Sequence, residues 1–495
     1  MVLFNITKNS YFYNIEDNIQ KGELIKMGTN KKLGLWILTA LVVGNMVGSG
    51  IFMLPGSLSK AASPAGILSA WLITGFGVLM LALVFGNLAM RKPNLTGGPQ
   101  IYAKELFKAG SNASTLSGFM SSWGYWLGNV AGNIAVITTF AGYLSTFFPV
   151  LLNQAELFSI GGFTIKIGNA LTFIVCTILL WGTHFIILRG LDGAGKLNFL
   201  ATSAKVIGFF LFILVGLFTF QKANITPFVA PRLDEAGQAI GLFGQINNAA
   251  VTTLWAFIGV ESAVVFASRA KKQVDVKRAT MLGLMIALAI YIGISSLVMG
   301  MLNHEALAAS DKPLIDAISA VIGPIGGKVL AAFGLISLFG STIGWIMLSA
   351  EVPYQAAKQG MFLPAFKMVN KKGIPVLSLI VTNLIGQLFI FSTVSNTIST
   401  AFNIAIVIAT LAYLVPYLIS SVFQLKLVIT GETYTDKKSR IIDGVIGVLA
   451  TIYSVWVIIA GTADLNTFCL GMGLLASGVL LYKWVIPVGK KTTEK

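Results

Sequence analysis

The sequence predicts an all-α polytopic membrane protein with twelve transmembrane helices, and three observations carry that expectation. Of its 495 residues, 55% are hydrophobic and only 11% are charged, against about 25% charged in soluble domains. Apolar runs of about 20 residues recur from one end of the chain to the other, each long enough to cross a hydrocarbon core of roughly 30 Å. These runs lack the polar–apolar alternation of barrel strands, so the helix is what remains to satisfy every peptide group in lipid.

The runs fall near 33–54, 65–89, 117–149, 168–188, 198–221, 246–268, 280–302, 328–352, 374–393, 397–424, 440–462 and 466–487. The loops are short and no soluble domain is inserted, so whatever is specific must be built from the spans. The first span reads GNMVGSGIF, with Gly44, Gly48 and Gly50 crowded around Ser49. The third carries Tyr125, Gly128, Asn129, Asn133 and Val136 at roughly helical spacing, so several of them share a face. Lys205 is an ionisable group inside the fifth. The sixth reads WAFIGVES, with Gly259 between Trp255 and Glu261. Trp345 lies in the eighth span and Tyr417 in the tenth.

Glu261 is the most informative single residue. A carboxylate that deep costs roughly 2.5–3.5 kcal/mol on insertion scales, and intramembrane acids usually serve the passage of something through the bilayer. Glycine permits the dihedrals of a broken helix, and irregular backbone at membrane depth survives only where protein buries it or where it lines a wet cavity. Interrupted spans five helices apart are the mark of an inverted five-plus-five repeat with its site at the midplane. Close helix packing through small residues is the competing explanation for Gly44 and Gly48.

The net charge of +16 is topological. Basic residues collect in alternate loops: Arg91 and Lys92, Arg269 to Arg278, Lys358 to Lys372, Lys437 to Arg440, and Lys490 with Lys491. This positive-inside bias places both termini in the cytoplasm, in keeping with an even number of spans in a cell membrane. It also argues against nucleic acid as the partner. Two cysteines, Cys176 and Cys469, and two histidines, His184 and His304, provide neither a disulfide framework nor a metal spacing. No nucleophile–base set or phosphate loop appears, so no enzyme activity and no cofactor is expected. Residues 1–30 are polar, read as a poorly ordered tail rather than a signal peptide, and Met27 is a second candidate start.

Four strings carry a resemblance: GNMVGSGIF (44–52), WLGNVAGNIAV (126–136), LWAFIGVESA (254–263) and GWIMLSAE (344–351). They resemble the amino acid–polyamine–organocation superfamily, and within it the basic amino acid/polyamine antiporter branch, which includes arginine/agmatine and arginine/ornithine exchangers. The resemblance implies a LeuT-like core of ten helices over 31–425 in two inverted repeats, with helices one and six broken. It also implies two peripheral helices over 426–487 and cytoplasmic tails at 1–30 and 488–495. Relatives include dimers, so a homodimer is left open.

Site roles follow from physics and resemblance together. Freed N–H groups at Ser49 and Gly50, at a positive helix end, suit an α-carboxylate. Unwound carbonyls around Trp255, Ala256 and Ile258 suit an α-ammonium. Trp255 offers a face to a cationic side chain, worth about 0.5–2 kcal/mol, and with Trp345 resembles the family's gating tryptophans. Met46, Gly128, Asn129, Asn133 and Val136 complete the expected wall; Asn129 stands where the arginine/agmatine exchanger carries a small residue. Glu261, Tyr125 and Tyr417 match a family gate on the cytoplasmic side. Lys205 resembles the lysine that replaces a sodium ion in several superfamily members. The implied function is exchange of a cationic amino acid for a related amino acid or amine, arginine for ornithine first. Histidine/histamine exchange, lysine/cadaverine exchange and proton-coupled uptake through Lys205 stand as alternatives.

Overall fold

The computed structural model describes residues 33–485, except 96–97, 161–162, 190–193, 234–237, 266 and 268–269. The expected tails 1–30 and 488–495 lie outside the described residues, as do Met27, Arg269, Lys490 and Lys491.

The first apolar run forms α1 (Leu35–Met46) and α2 (Gly50–Ala61), bent by 47° at a break over 47–49. After them come α3 (Pro64–Arg91), the short α4 (Gln100–Glu105), α5 (Asn112–Leu144), the hairpin β1 (Glu156–Ile160) and β2 (Phe163–Lys166), α6 (Ile167–Arg189) and α7 (Ala194–Thr219). A second small hairpin, β3 (Arg232–Leu233) with β4 (Ala239–Ile240), precedes α8 (Leu242–Ala256) and the four-residue α9 (Ser262–Val265). The remainder is α10 (Gln273–Met301), α11 (His304–Ala309), α12 (Pro313–Ile322), α13 (Pro324–Lys358), α14 (Val376–Ile390), α15 (Ser392–Ser395), α16 (Ile398–Thr430), α17 (Lys437–Ala460) and α18 (Leu465–Tyr482).

The chain is an all-α polytopic membrane protein. Among the described residues, ten helices are long and apolar enough to span, and the bent α1–α2 pair makes an eleventh. The run expected near 246–268 reaches only 15 residues in α8 before the helix stops for turns over 257–261. At 1.5 Å per residue, α8 alone is about 22 Å long.

Local chemistry explains the other boundaries. Ser111, Thr397 and Asp436 cap α5, α16 and α17 through their side-chain oxygens. Proline opens α3, α12 and α13, where its missing N–H costs nothing. Gly431 closes α16 in the left-handed conformation, at φ 73°. Several helices outrun their apolar stretches. For example, α10 begins at Gln273, seven residues before the expected 280, because a helix needs peptide hydrogen bonds and not hydrophobicity. The short helices and hairpins between spans carry no 20-residue apolar signal, which is why hydropathy passes over them.

Polar clusters tie the helices together at both ends of the bundle. At the end rich in basic residues, the buried Asp443 on α17 accepts from Asn87 Nδ2 at 2.9 Å and Arg91 Nε at 2.7 Å, both on α3. Lys277 of α10 reaches Asn87 Oδ1 at 2.8 Å, and Arg91 lies 3.7 Å over the Tyr434 ring. At the opposite end, Ser57 of α2 donates to Asn403 Oδ1 at 2.7 Å and Lys60 to Ser399 Oγ at 2.8 Å, both on α16.

Glycines set the closest helix contacts. A Cβ on Gly77 of α3 would lie 2.1–2.3 Å from ring atoms of Tyr453 on α17, including the ring's root atom Cγ. The ring cannot simply swing its tip away. Gly77→Ala should therefore destabilise by about 1–3 kcal/mol, the range for overpacking, and lower Tm in detergent. An unchanged Tm would mean that α3 and α17 separate without cost.

Candidate functional site

Both interruptions meet at one small cavity. It is lined by Asn45, Met46, Gly48, Ser49 and Gly50 from the first break, Trp255, Ala256 and Ile258 from the second, and Trp345 from α13. Its volume of about 10 Å³ is room for roughly one water. An amino acid enters only if the walls part.

The first break orients two helix ends toward this space. Met46 ends α1, whose last carbonyls carry the negative end of the helix dipole, and Ser49 precedes α2, whose first N–H groups carry the positive end. No side chain caps the α2 N-terminus. The second break turns on Gly259 at φ +104°, a conformation that side chains rarely adopt. A Cβ there would also lie 3.1 Å from Asn45 Cβ and 3.2 Å from its carbonyl carbon. The second break thus touches the last turn of α1 through glycine. Asn45 Nδ2 donates to Ser262 Oγ at 2.7 Å, and that hydroxyl donates to the Gly259 carbonyl at 2.5 Å.

Glu261 follows in the same turn and is 2% exposed. Its Oε1 accepts from Tyr125 Oη at 2.9 Å, and its Oε2 accepts from Tyr417 Oη at 2.5 Å and from Gly259 N–H at 3.1 Å. Three donors thus satisfy a carboxylate that would otherwise be prohibitive at this depth. Tyr417 meets Phe85 edge to face at 5.1 Å, and Phe85 lies in the last turns of α3. The Glu261 cluster is therefore on the basic-end side of the cavity.

Two indoles cover the cavity from α8 and α13, Trp255 and Trp345, with ring centroids 6.2 Å apart. They fit against α5 because residue 132 is glycine: a Cβ there would sit 2.7 Å from Trp255 Cη2 and 3.4 Å from Trp345 Cζ3. Along the same stripe of α5, Asn129 and Asn133 are buried with unpartnered Oδ1 atoms, while Asn129 Nδ2 donates to the Tyr125 carbonyl at 2.6 Å. At four-residue intervals, Tyr125, Asn129 and Asn133 step about 6 Å apart along the axis.

Of the residues singled out from sequence, Met46, Ser49, Gly50, Trp255, Ala256, Ile258 and Trp345 share the cavity, and Tyr125, Glu261 and Tyr417 share one hydrogen-bonded cluster. Asn129, Asn133 and Val136 are buried on α5 and do not line the cavity in this conformation. Gly128 faces elsewhere; its Cβ position is 2.7 Å from the Tyr413 ring on α16. Lys205 on α7 is half-buried, one turn before Phe209, whose ring packs 5.1 Å from Phe52 on α2. Lys205 has no hydrogen-bond or ion-pair partner among the described residues. Sequence reading passed over Asn45, Gly132, Ser262 and Tyr291. Asn45 sits inside the glycine motif, the one signal that could have marked it.

Gly259→Ala should impose strain of about 1–3 kcal/mol at a left-handed position and push the unwound segments apart. The expected outcome is a folded chain with a lowered Tm and weakened amino acid binding. Wild-type values for both would show that the turn tolerates a side chain.

Residues 33–477 match the family model described as amino acid permease. The chain is 54% identical over 460 residues to a Bacillus subtilis (strain 168) protein named "Putative arginine/ornithine antiporter", covering 93% of this chain and 98% of that one. It is 35% identical to the "Arginine/ornithine antiporter" of Pseudomonas aeruginosa, covering 92% and 91% of the two chains. It is 34% identical to the "Arginine/agmatine antiporter" of Chlamydia pneumoniae, covering 94% and 91%. With its break-lined cavity and a family match over residues 33–477, this chain belongs to the amino acid permease family.

Proposed function

We propose that the chain is a cell-membrane antiporter that exchanges a cationic amino acid for a related amino acid or amine, arginine for ornithine first, by alternating access. The observation that carries this is the cavity where two interrupted helices meet beneath Trp255 and Trp345, in a chain whose relatives are named as arginine/ornithine antiporters. The architecture that goes with it has twelve spans, counting α8 with α9 as the sixth and α1 with α2 as the first. Residues 31–425 form a LeuT-like five-plus-five inverted-repeat core, and 426–487 form two peripheral helices. Both termini are cytoplasmic, so the basic end of the bundle faces inward. A transporter of this kind is not an enzyme and needs no cofactor; its partners are the amino acid and the lipid.

In this reading the N–H groups at Ser49 and Gly50 take the substrate carboxylate. The carbonyls around Trp255, Ala256 and Ile258 take the α-ammonium. Trp255 lies over the side-chain cation, and Asn129 and Asn133 offer their unpartnered oxygens to its N–H donors. Trp255 and Trp345 close the outer side and the Glu261–Tyr125–Tyr417 cluster the inner side. A second reading, proton-coupled uptake, is favoured by the lack of any partner for Lys205 among the described residues. Histidine/histamine and lysine/cadaverine pairs use nearly the same wall.

Proteoliposomes separate these readings. Labelled arginine should enter only vesicles preloaded with ornithine or a related cation, and entry driven by a pH gradient into empty vesicles would establish uptake instead. Unlabelled amino acids tested for their power to drive release of labelled arginine then identify the pair. Trp255→Leu removes the covering indole without leaving an unpaired charge, and should weaken arginine binding up to roughly thirtyfold, the scale of a 2 kcal/mol cation–π contact, in a folded protein. Unchanged affinity would end its stacking role. Glu261→Gln replaces one acceptor oxygen with donors that face a tyrosine hydroxyl. It should change the rate and pH profile of exchange more than expression, and a wild-type profile and rate would leave Glu261 a purely structural residue.

A further inference from the structure

Tyr291 on α10 does not line the cavity, yet it touches both breaks from behind. Its hydroxyl oxygen lies 2.7 Å from the Met46 carbonyl and 2.6 Å from the Ala256 carbonyl. Those are the last residues of α1 and α8, whose carbonyls have lost their place in a continuing helix. Both residues also border the cavity. The Met46 carbonyl accepts additionally from Gly48 N–H at 2.7 Å, whereas no second donor to the Ala256 carbonyl is found among the described residues.

The position of this hydroxyl is fixed by packing. The Tyr291 ring is fully buried, stacked on Trp71 at 5.0 Å and 19° and set edge-on to Phe257 at 5.2 Å. Trp71 is itself held by Nε1 donating to Ser295 Oγ at 3.0 Å, one turn along the helix that carries Tyr291. Nothing here lets the hydroxyl drift to favour one carbonyl. A phenol has one proton to donate, and since the Met46 carbonyl already has Gly48 N–H, that proton is the protein's one donor, among the described residues, to the Ala256 carbonyl. This shared contact sits at the negative ends of two helix dipoles, beside a cavity.

We propose that Tyr291 is the positioning residue for the ammonium half of the site: its one hydroxyl holds the Met46 and Ala256 carbonyls, from the two breaks, in register, and the α-ammonium of an entering amino acid adds its own donors to the same pair of oxygens. This rests on the exchange reading above and adds to it a residue from α10 that acts only through the two carbonyls. Because those carbonyls belong to different breaks, the same contact makes the ammonium a sensor of their relative placement. An amine-free ligand gains nothing from it.

The test compares L-arginine with 5-guanidinopentanoate, which keeps the carboxylate and guanidinium and lacks the α-amino group. The full chain is reconstituted in vesicles, and each compound is scored for inhibition of labelled arginine exchange. Tyr291→Phe keeps the ring and its stacking and removes the hydroxyl. The variant's preference for arginine over 5-guanidinopentanoate should fall at least tenfold below that of the wild type. A preserved preference would overturn the proposal, whether both ligands weaken equally, as a structural role requires, or neither weakens. Should Tyr291→Phe fail to fold, Trp71→Phe, which loosens the stacked ring, should lower the same preference several-fold, and an unaltered ratio there also overturns the role. Wild-type arginine/ornithine exchange is measured in the same vesicles. Failure of the transport reading therefore appears in the wild type, and failure of the Tyr291 role appears only in the variants.

Discussion

Peptide groups freed at the centre of a bilayer must find partners within the protein, because lipid offers none and each orphan costs several kcal/mol. Everything distinctive in this structure answers that constraint. The first helix stops at Met46 and the second broken helix at Ala256, and the groups released there are met by Tyr291, Ser262, Glu261 and one another. Gly259 makes the arrangement compact by bringing the second break against the backbone of Asn45 and Met46. No side chain caps the start of α2, and on the exchange reading its first N–H groups are the ones offered to a ligand.

Polar contacts bracket the cavity along the bundle. Toward the basic end, Glu261, in the turn before α9, joins the second break to α5 and α16 through two tyrosines. Toward the other end, Ser57 and Lys60 join α2 to α16, while the indoles close over Gly132. Since the cavity holds about one water, a bound amino acid requires one bracket to yield. On the exchange reading proposed above, alternating access would break the two brackets in turn. Both contain α16, which on that reading would be the element against which the broken helices move.

Sequence carried the fold class and drew together residues that the structure gathers around one cavity. Hydropathy reports whether a segment can sit in lipid, so it found the spans, but it does not see where a helix extends into water; α10 starting at Gln273 is one consequence. The glycine motifs and Glu261 were visible because each breaks a local rule of membrane helices. Tyr291 broke none. A tyrosine in an apolar helix is unremarkable until two carbonyls from segments far apart in sequence arrive at its hydroxyl. Gly132 is similar, since its meaning lies in the Trp255 and Trp345 rings that fill the space a side chain would take. Gly128, one turn away, packs on Tyr413 instead; spacing alone puts both near one face, and only the neighbours separate them.

The charge arrangement bears on why such a site exchanges rather than accumulates. Glu261, the acid nearest the cavity, already receives three hydrogen bonds, so on the exchange reading a cationic side chain meets amide oxygens and indole faces and not a free carboxylate. Neutral acceptors hold a cation without the deep well of a buried ion pair, whose rupture is strongly unfavourable, and release toward either side stays feasible. The empty site fares worse. The Oδ1 atoms of Asn129 and Asn133 are buried without partners among the described residues. Buried unsatisfied polar groups cost about 1–3 kcal/mol each. If the broken helices must pass through a dry, closed arrangement in order to turn, that cost falls on the unloaded carrier and is removed by a ligand that brings N–H donors. A loaded site then crosses readily and an empty one slowly, which is the kinetic asymmetry that makes transport an exchange.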